Sequence, residues 1–230
     1  MNLNILVLDD EKEIADLIEV YLINEKYNVF KYYDAKEALA FIESTTIDLA
    51  ILDVMMPEID GFTLLRKIRE AHTFPVIMLT AKEEEIDKIN GFSLGADDYI
   101  TKPFRPLELV ARVKAQIRRF TMYNQDAKHS EDTIDFSGLV LNKSTRQVFL
   151  NEKQLALTPT EFSILWYLSL NRGKVISSEQ LFQEVWGEKY FNSNNTIMVH
   201  IRNLRDKMKD SAENPKFIKT VWGVGYTIEK

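Results

Sequence analysis

The chain has 230 residues, 45% hydrophobic and 28% charged, with no cysteine and a formal charge of −6 at pH 7. That length suits two domains, each burying its own core, and the composition excludes wholesale disorder, a disulfide framework, a thiolate metal site and a cysteine nucleophile. The longest apolar stretches, such as PVIML at 75–79, fall far short of the roughly 20 residues of a membrane span, and no basic leader or cleavage site opens the chain, so a cytosolic protein without membrane insertion is expected.

In chain order, NILVLD (4–9), NVFKYY (28–33), DLAILD (48–53), PVIMLT (75–80) and DDYIT (97–101) read as strands. Between them EIADLIEVYLINE, AKEALAFIE, GFTLLRKIREA and EEIDKINGFSL repeat apolar residues at three and four, and RPLELVARVKAQIRR follows the last strand. Five β/α pairs predict a parallel sheet with helices on both faces, whose ligands gather at the carboxyl ends of the strands. Asp9 and Asp10 end the first strand, Asp53 the third and Thr80 the fourth, while Lys102 follows the fifth. Three carboxylates at one edge repel one another and call for a cation. Mg²⁺ accepts hard oxygen ligands and keeps several waters, which leaves room for a phosphoryl oxygen. Asp53 is then placed to attack phosphorus, with the metal and the Lys102 ammonium offsetting the equatorial charge.

LVLDDE, ILDVMMP with Gly61 beyond it, LTA and TKPF resemble the receiver domain of two-component response regulators, a flavodoxin-like, doubly wound five-stranded α/β fold, over residues 1–120. The resemblance implies that Asp53 accepts the phosphoryl group and that Asp9, Asp10, Asp53 and the Met55 backbone carbonyl hold Mg²⁺. It also implies that Thr80 and Lys102 contact the phosphoryl group, that a cis peptide before Pro103 turns Lys102 inward, and that Tyr99 rotates inward as Thr80 is drawn to the site. The face formed by the fourth helix, fifth strand and fifth helix is then the dimer surface, with Lys88–Glu108 and Asp98–Arg112 as charged pairs. Arg119 also fits this pattern, although Ser93 stands where its acidic partner is expected.

The charge changes along the chain: residues 1–120 sum to −7, 121–132 to −2 and 133–230 to +3. Residues 121–132, TMYNQDAKHSED, are polar and aperiodic, and read as a flexible linker. After it, TIDFSGLVLNKSTRQVFLNEKQLALT alternates like a small antiparallel sheet with turns at NKST and NEKQ. Thr158, Pro159 and Glu161 form a helix start of the capping-box kind, and SSEQLFQEVWG opens a second helix by the same chemistry. In a third helix over 194–209, Ile197, Ile201, Leu204 and Met208 face the core. Asn195, Thr196, Met198, Val199, Arg202, Asn203 and Arg205 lie nearer the other face. Gly223 and Gly225 permit a tight C-terminal hairpin.

LTPTEFSIL, NTIMVHIRNLRDKM and VWGVGYTI resemble the α+β winged helix-turn-helix effector of the OmpR/PhoB subfamily over 133–230. The resemblance implies that the third helix enters the major groove and the hairpin wing meets the flanking duplex. Asn195, Thr196, Val199, His200, Arg202 and Asn203 are the expected base readers, Arg205 and Lys219 the expected phosphate contacts, and Trp222 stands where the wing often carries arginine. VFKYYDAKEAL, ITKPFRPLELVARVKAQIRR and NPKFIKTVWGVGY are similar to the vancomycin-resistance regulators of that subfamily. The partners implied are a sensor histidine kinase, promoter DNA, RNA polymerase at the loop GEKYFNSN, and a second copy when phosphorylated. The alternative reading is a regulator of another envelope or nutrient response. A Mg²⁺-dependent aspartyl-phosphate phosphatase would carry its second acid where Met55 stands, so no enzyme beyond the receiver's own phosphoryl chemistry is expected.

Overall fold

The computed structural model describes residues 3–81, 94–121, 132–187 and 194–229. The chain divides into two compact units, Met1–Arg118 and Arg119–Lys230. Most of the linker expected at 121–132 lies outside the described residues, as does the helix expected over 84–94 except for its last residue.

In the first unit β1 (Asn4–Leu8), β2 (Asn28–Tyr32), β3 (Leu49–Asp53), β4 (Val76–Thr80) and β5 (Asp98–Thr101) form one sheet in the order β2-β1-β3-β4-β5. Every pairing in it is parallel. The strands start or stop about a residue inside the expected bounds, for local reasons. Pro75 has no N–H to give the ladder, so β4 begins after it. Asp9 leaves the strand to turn its carboxylate toward the Glu11 amide, 3.0 Å away.

Helices α1 (Lys12–Asn24), α2 (Ala35–Ser44), α3 (Gly61–Ala71) and α4 (Pro106–Thr121) cover the sheet. Ile5, Val7, Ile51, Ile77 and Leu79 pack on one face with Ile18 and Leu22 of α1 and Leu109 and Val113 of α4. Because both faces are covered, β3 and β4 are buried at every position, as a parallel sheet requires. Asp34 and Asp60 cap α2 and α3 with side-chain hydrogen bonds.

The second unit opens with an antiparallel sheet of β6 (Thr133–Phe136), β7 (Leu139–Asn142), β8 (Val148–Leu150) and β9 (Lys153–Leu155). Two of its hairpins turn on residue pairs with positive φ, Ser137–Gly138 and Asn151–Glu152, the twist that suits two-residue loops. Helix α5 (Pro159–Leu170) starts from the Thr158–Glu161 capping box, and α6 (Ser178–Trp186) from Ser177–Gln180. Gly187 in the left-handed region then stops α6. Helix α7 (Asn194–Met208) lays Ile197, Ile201, Leu204 and Met208 into a core shared with Phe162, Leu165, Leu181 and Trp186. A separate three-stranded sheet follows in the order β10-β12-β11, built from β10 (Ile176–Ser177), β11 (Ile218–Val221) and β12 (Gly225–Ile228).

Candidate functional site

The carboxyl edge of the first sheet brings Asp9, Asp10 and Asp53 together, each with a carboxylate oxygen within 4.8 Å of the others. Asp9 and Asp53 are buried, at 0% and 2% exposure, and Asp10 faces solvent. Lys102 reaches into the cluster: its Nζ lies 2.8 Å from Asp9 Oδ2 and 3.2 Å from Asp53 Oδ2. Its backbone N–H donates to the Thr80 carbonyl at 2.6 Å, so the ends of β4 and β5 hold it in place. The Lys102–Pro103 peptide is cis.

Burial pushes the Asp9 and Asp53 carboxyls above their ordinary value, and Lys102 only partly opposes it. Burial also works against the Lys102 charge, but the hydrogen bond to Asp9 and the field of Asp53 outweigh it and raise its pKa. Among the described residues one ammonium, that of Lys102, faces these acids, which leaves the cluster short of positive charge. Oδ1 of Asp53 is buried without a hydrogen-bond partner among the described residues. A hard cation with open positions fits both facts.

Two contributors were not singled out as site residues in the sequence. Glu11 places Oε1 3.4 Å from Lys102 Nζ, a contact set by the turn into α1 that no motif spacing announces. Gly61 packs so closely on β3 that a Cβ there would lie 2.1 Å from the Asp53 carbonyl oxygen. Its place after ILDVMMP was the available signal. Thr80 is buried beside the site, Met55 exposes its side chain on the loop after β3, and Tyr99 is packed inside. On the outer face Arg112 bridges Asp98, at 3.1 and 3.3 Å, and Glu108, at 3.1 Å, all within one chain. Lys88 and Ser93 lie outside the described residues, as does the side chain of Arg119.

In the second unit, α7 exposes a narrower face than its sequence suggested. His200, expected to read bases, is fully buried against the Trp186 ring, and Thr196 and Val199 are also buried. The helix packs on both α5 and α6, so its inward stripe spreads over positions 196, 197, 199, 200, 201, 204 and 208 and takes in these three expected readers. Arg202 stays out, its side chain 78% exposed, with Met198 one turn before it and Asn203 half-buried beside it. The side chain of Asn195 and the loop 188–193 lie outside the described residues. Arg205, expected on a phosphate, donates to the Ile218 carbonyl at 2.7 and 3.2 Å and to the Thr220 hydroxyl at 2.8 Å, tying the helix to the wing. Lys219 pairs with Glu229 at 2.8 Å, and Trp222 stands exposed at the wing tip.

Comparison with known proteins extends this picture. Residues 5–114 match the response regulator receiver domain, and residues 152–228 match the C-terminal domain of transcriptional regulatory proteins. Over 231 aligned residues, with both chains covered in full, the sequence is 62% identical to the regulatory protein VanR of Enterococcus faecium. The chain is a two-component response regulator of the OmpR/PhoB type.

This regulator is also 55% identical to VanRc of Enterococcus gallinarum, again over the full length of both chains. Among solved structures, a point mutant of RitR aligns over all of both chains with a TM-score of 0.79 at 28% identity. DrrB of Thermotoga maritima, an OmpR/PhoB homologue, aligns over all of both chains with a TM-score of 0.53 at 32% identity. The regulator is thus a phosphorylation-dependent, DNA-binding transcriptional regulator, and not a classical enzyme. No described helix is long and apolar enough to cross a membrane.

Proposed function

We propose that this regulator takes a phosphoryl group from a sensor kinase phosphohistidine onto Asp53, pairs with a second copy, and switches promoters of a glycopeptide-resistance gene cluster in the cytoplasm. The observation that carries the chemical part is the meeting of three acids within 4.8 Å of one another with Lys102 inserted between two of them.

Asp9, Asp10, Asp53 and the Met55 carbonyl would hold Mg²⁺, which supplies positive charge against the clustered carboxylates and the phosphoryl oxygens. An Asp53 carboxylate oxygen attacks phosphorus, an O–P bond forms as the kinase N–P bond breaks, and the imidazole leaves with the electron pair. Lys102 neutralises charge gathering on the equatorial oxygens. Thr80 donates its hydroxyl to one of them, and Tyr99 and Pro103 carry the change along β5 to the outer face. There Lys88 with Glu108 and Asp98 with Arg112 join two receivers, and two effectors reach half-sites about one helical turn apart. On DNA, Asn195, Arg202 and Asn203 face base edges, Lys219 a phosphate, and Trp222 the flanking groove. RNA polymerase meets the loop before α7. The full-length likeness to VanR and VanRc supports the glycopeptide-resistance target.

Treating the protein and Asp53→Asn with a small phosphodonor and Mg²⁺ tests the acceptor, read as acid-labile phosphate and as dimer mass. Labelling confined to the protein with Asp53 is expected; equal labelling of both contradicts the assignment.

A further inference from the structure

Of the tryptophans, Trp166 and Trp186 are buried, while Trp222 is 90% exposed. An indole left in water forgoes the burial that usually places it, so its exposure points to an absent partner. It projects from the wing turn, which the Val224 N–H closes onto the Val221 carbonyl at 2.9 Å over Gly223 with φ +74°.

The turn is fixed from two sides. Arg205 ties β11 to α7 through the Ile218 carbonyl and the Thr220 hydroxyl. Gly225 approaches β10 so closely that a Cβ would sit 2.0 Å from the Ile176 carbonyl oxygen. Trp222 therefore stands at a set distance from the exposed face of α7. Between them lies an open groove of about 580 Å³ lined in part by Met198, Arg205, Trp222 and Val224.

From Thr220 to Ile228 the wing carries no charged residue, and Lys219, the nearest cation in sequence, lies outside this stretch and 2.8 Å from Glu229. A tip that meets DNA here cannot do so by ion pairing. We propose that Trp222 is a specificity-determining residue that enters the minor groove as an uncharged wedge and selects A·T pairs at a flexible pyrimidine–purine step. The inference rests on the DNA reading proposed above and deepens it. Indole N–H is a donor only, and A·T pairs offer only acceptors in the minor groove, whereas G·C adds an amino donor that opposes it. An apolar wedge costs least where a TA step unstacks. No counterion is released at such a contact, so it adds affinity without adding salt dependence.

Selection from a pool of random-sequence duplexes by the phosphorylated full chain tests this, followed by titration of a selected duplex over a salt series. The expected duplexes carry A·T pairs with a TA step beside each half-site. Trp222→Phe keeps the ring, loses the N–H and flattens the A·T preference. Trp222→Ala also weakens binding about tenfold with the salt slope unchanged, while Arg202→Ala lowers that slope by about one. Trp222 emission, the part accessible to acrylamide, becomes shielded on binding. Trp222→Ala with wild-type affinity and wild-type flank composition would overturn the proposal alone. A pool from which the unmutated protein enriches nothing would overturn the DNA reading and the wedge with it. The position is exposed, so Trp222→Ala keeps its fold, which circular dichroism verifies.

Discussion

At the scale of single residues, the acceptor site is a conflict between burial and charge. Burial raises Asp53 and Asp9 above their ordinary value of 3.8, so the folded chain binds protons there more readily than the unfolded chain. Their contribution to stability is present below that value and is lost as pH rises through the folded-state pKa. In metal-free buffer, Asp53→Asn should therefore stabilise the protein, and the difference in urea midpoints between variant and wild type should grow from acid toward neutral pH. A difference that shrinks over that range would contradict the argument. Saturating Mg²⁺ should stabilise wild type, by about 2.7 kcal/mol at a hundredfold excess over Kd, and Asp53→Asn much less. Gly61→Ala forces a methyl against the Asp53 carbonyl oxygen. The shift should cost about 1–3 kcal/mol and slow labelling of Asp53 by about ten- to a hundredfold, since reacting groups tolerate little displacement. Labelling at the wild-type rate would show that β3 absorbs the methyl without moving its carboxylate.

Among elements, α7 shows where a helical pattern was legible and where it was not. Its core stripe of Ile197, Ile201, Leu204 and Met208 followed from spacing, and all four are buried. Thr196 and Val199 looked free by spacing, and His200 was expected as a reader from the family resemblance, but α7 packs on two helices rather than on one. Arg205 is the second surprise, because a cation on a helix thought to read DNA suggests a phosphate, and only the fold supplies the β11 carbonyl that takes it. Arg205→Ala should cost about 1.5–3 kcal/mol of effector stability and quicken hydrogen exchange at 218–221. Arg202→Ala, by contrast, should leave thermal stability within about 0.5 kcal/mol of wild type. Equal destabilisation by both would mean that the tie between α7 and the wing carries little.

On the scale of the molecule, an acidic receiver and a mildly basic effector are joined in one chain, and pairing of receivers is the proposed route from one to the other. Arg112 already satisfies Asp98 and Glu108 within its own chain. A dimer that uses the pair across the interface must exchange one bond for another, so each pair adds selectivity more than affinity. Arg112→Ala should leave phosphate uptake intact while lowering dimer mass in light scattering, and should weaken binding to two half-sites about ten- to a hundredfold through lost effective concentration. Full dimerisation of phosphorylated Arg112→Ala would remove this residue from the interface.

The order of the described elements apart from the short β10, the carboxyl-edge position of Asp9, Asp53, Thr80 and Lys102, and the helix starts at Thr158 and Ser177 were readable in the chain itself. They depend on periodicity and on the local chemistry of strand ends and caps, which neighbours in sequence decide. Which cation meets which carboxylate, that Glu11 joins the site, that His200 lies inside and that Arg205 binds a strand came only with the tertiary structure. Those outcomes depend on groups far apart in sequence, such as Lys102 and Asp9 or Arg205 and Thr220, whose distances are set by the packing of whole elements rather than by any local pattern.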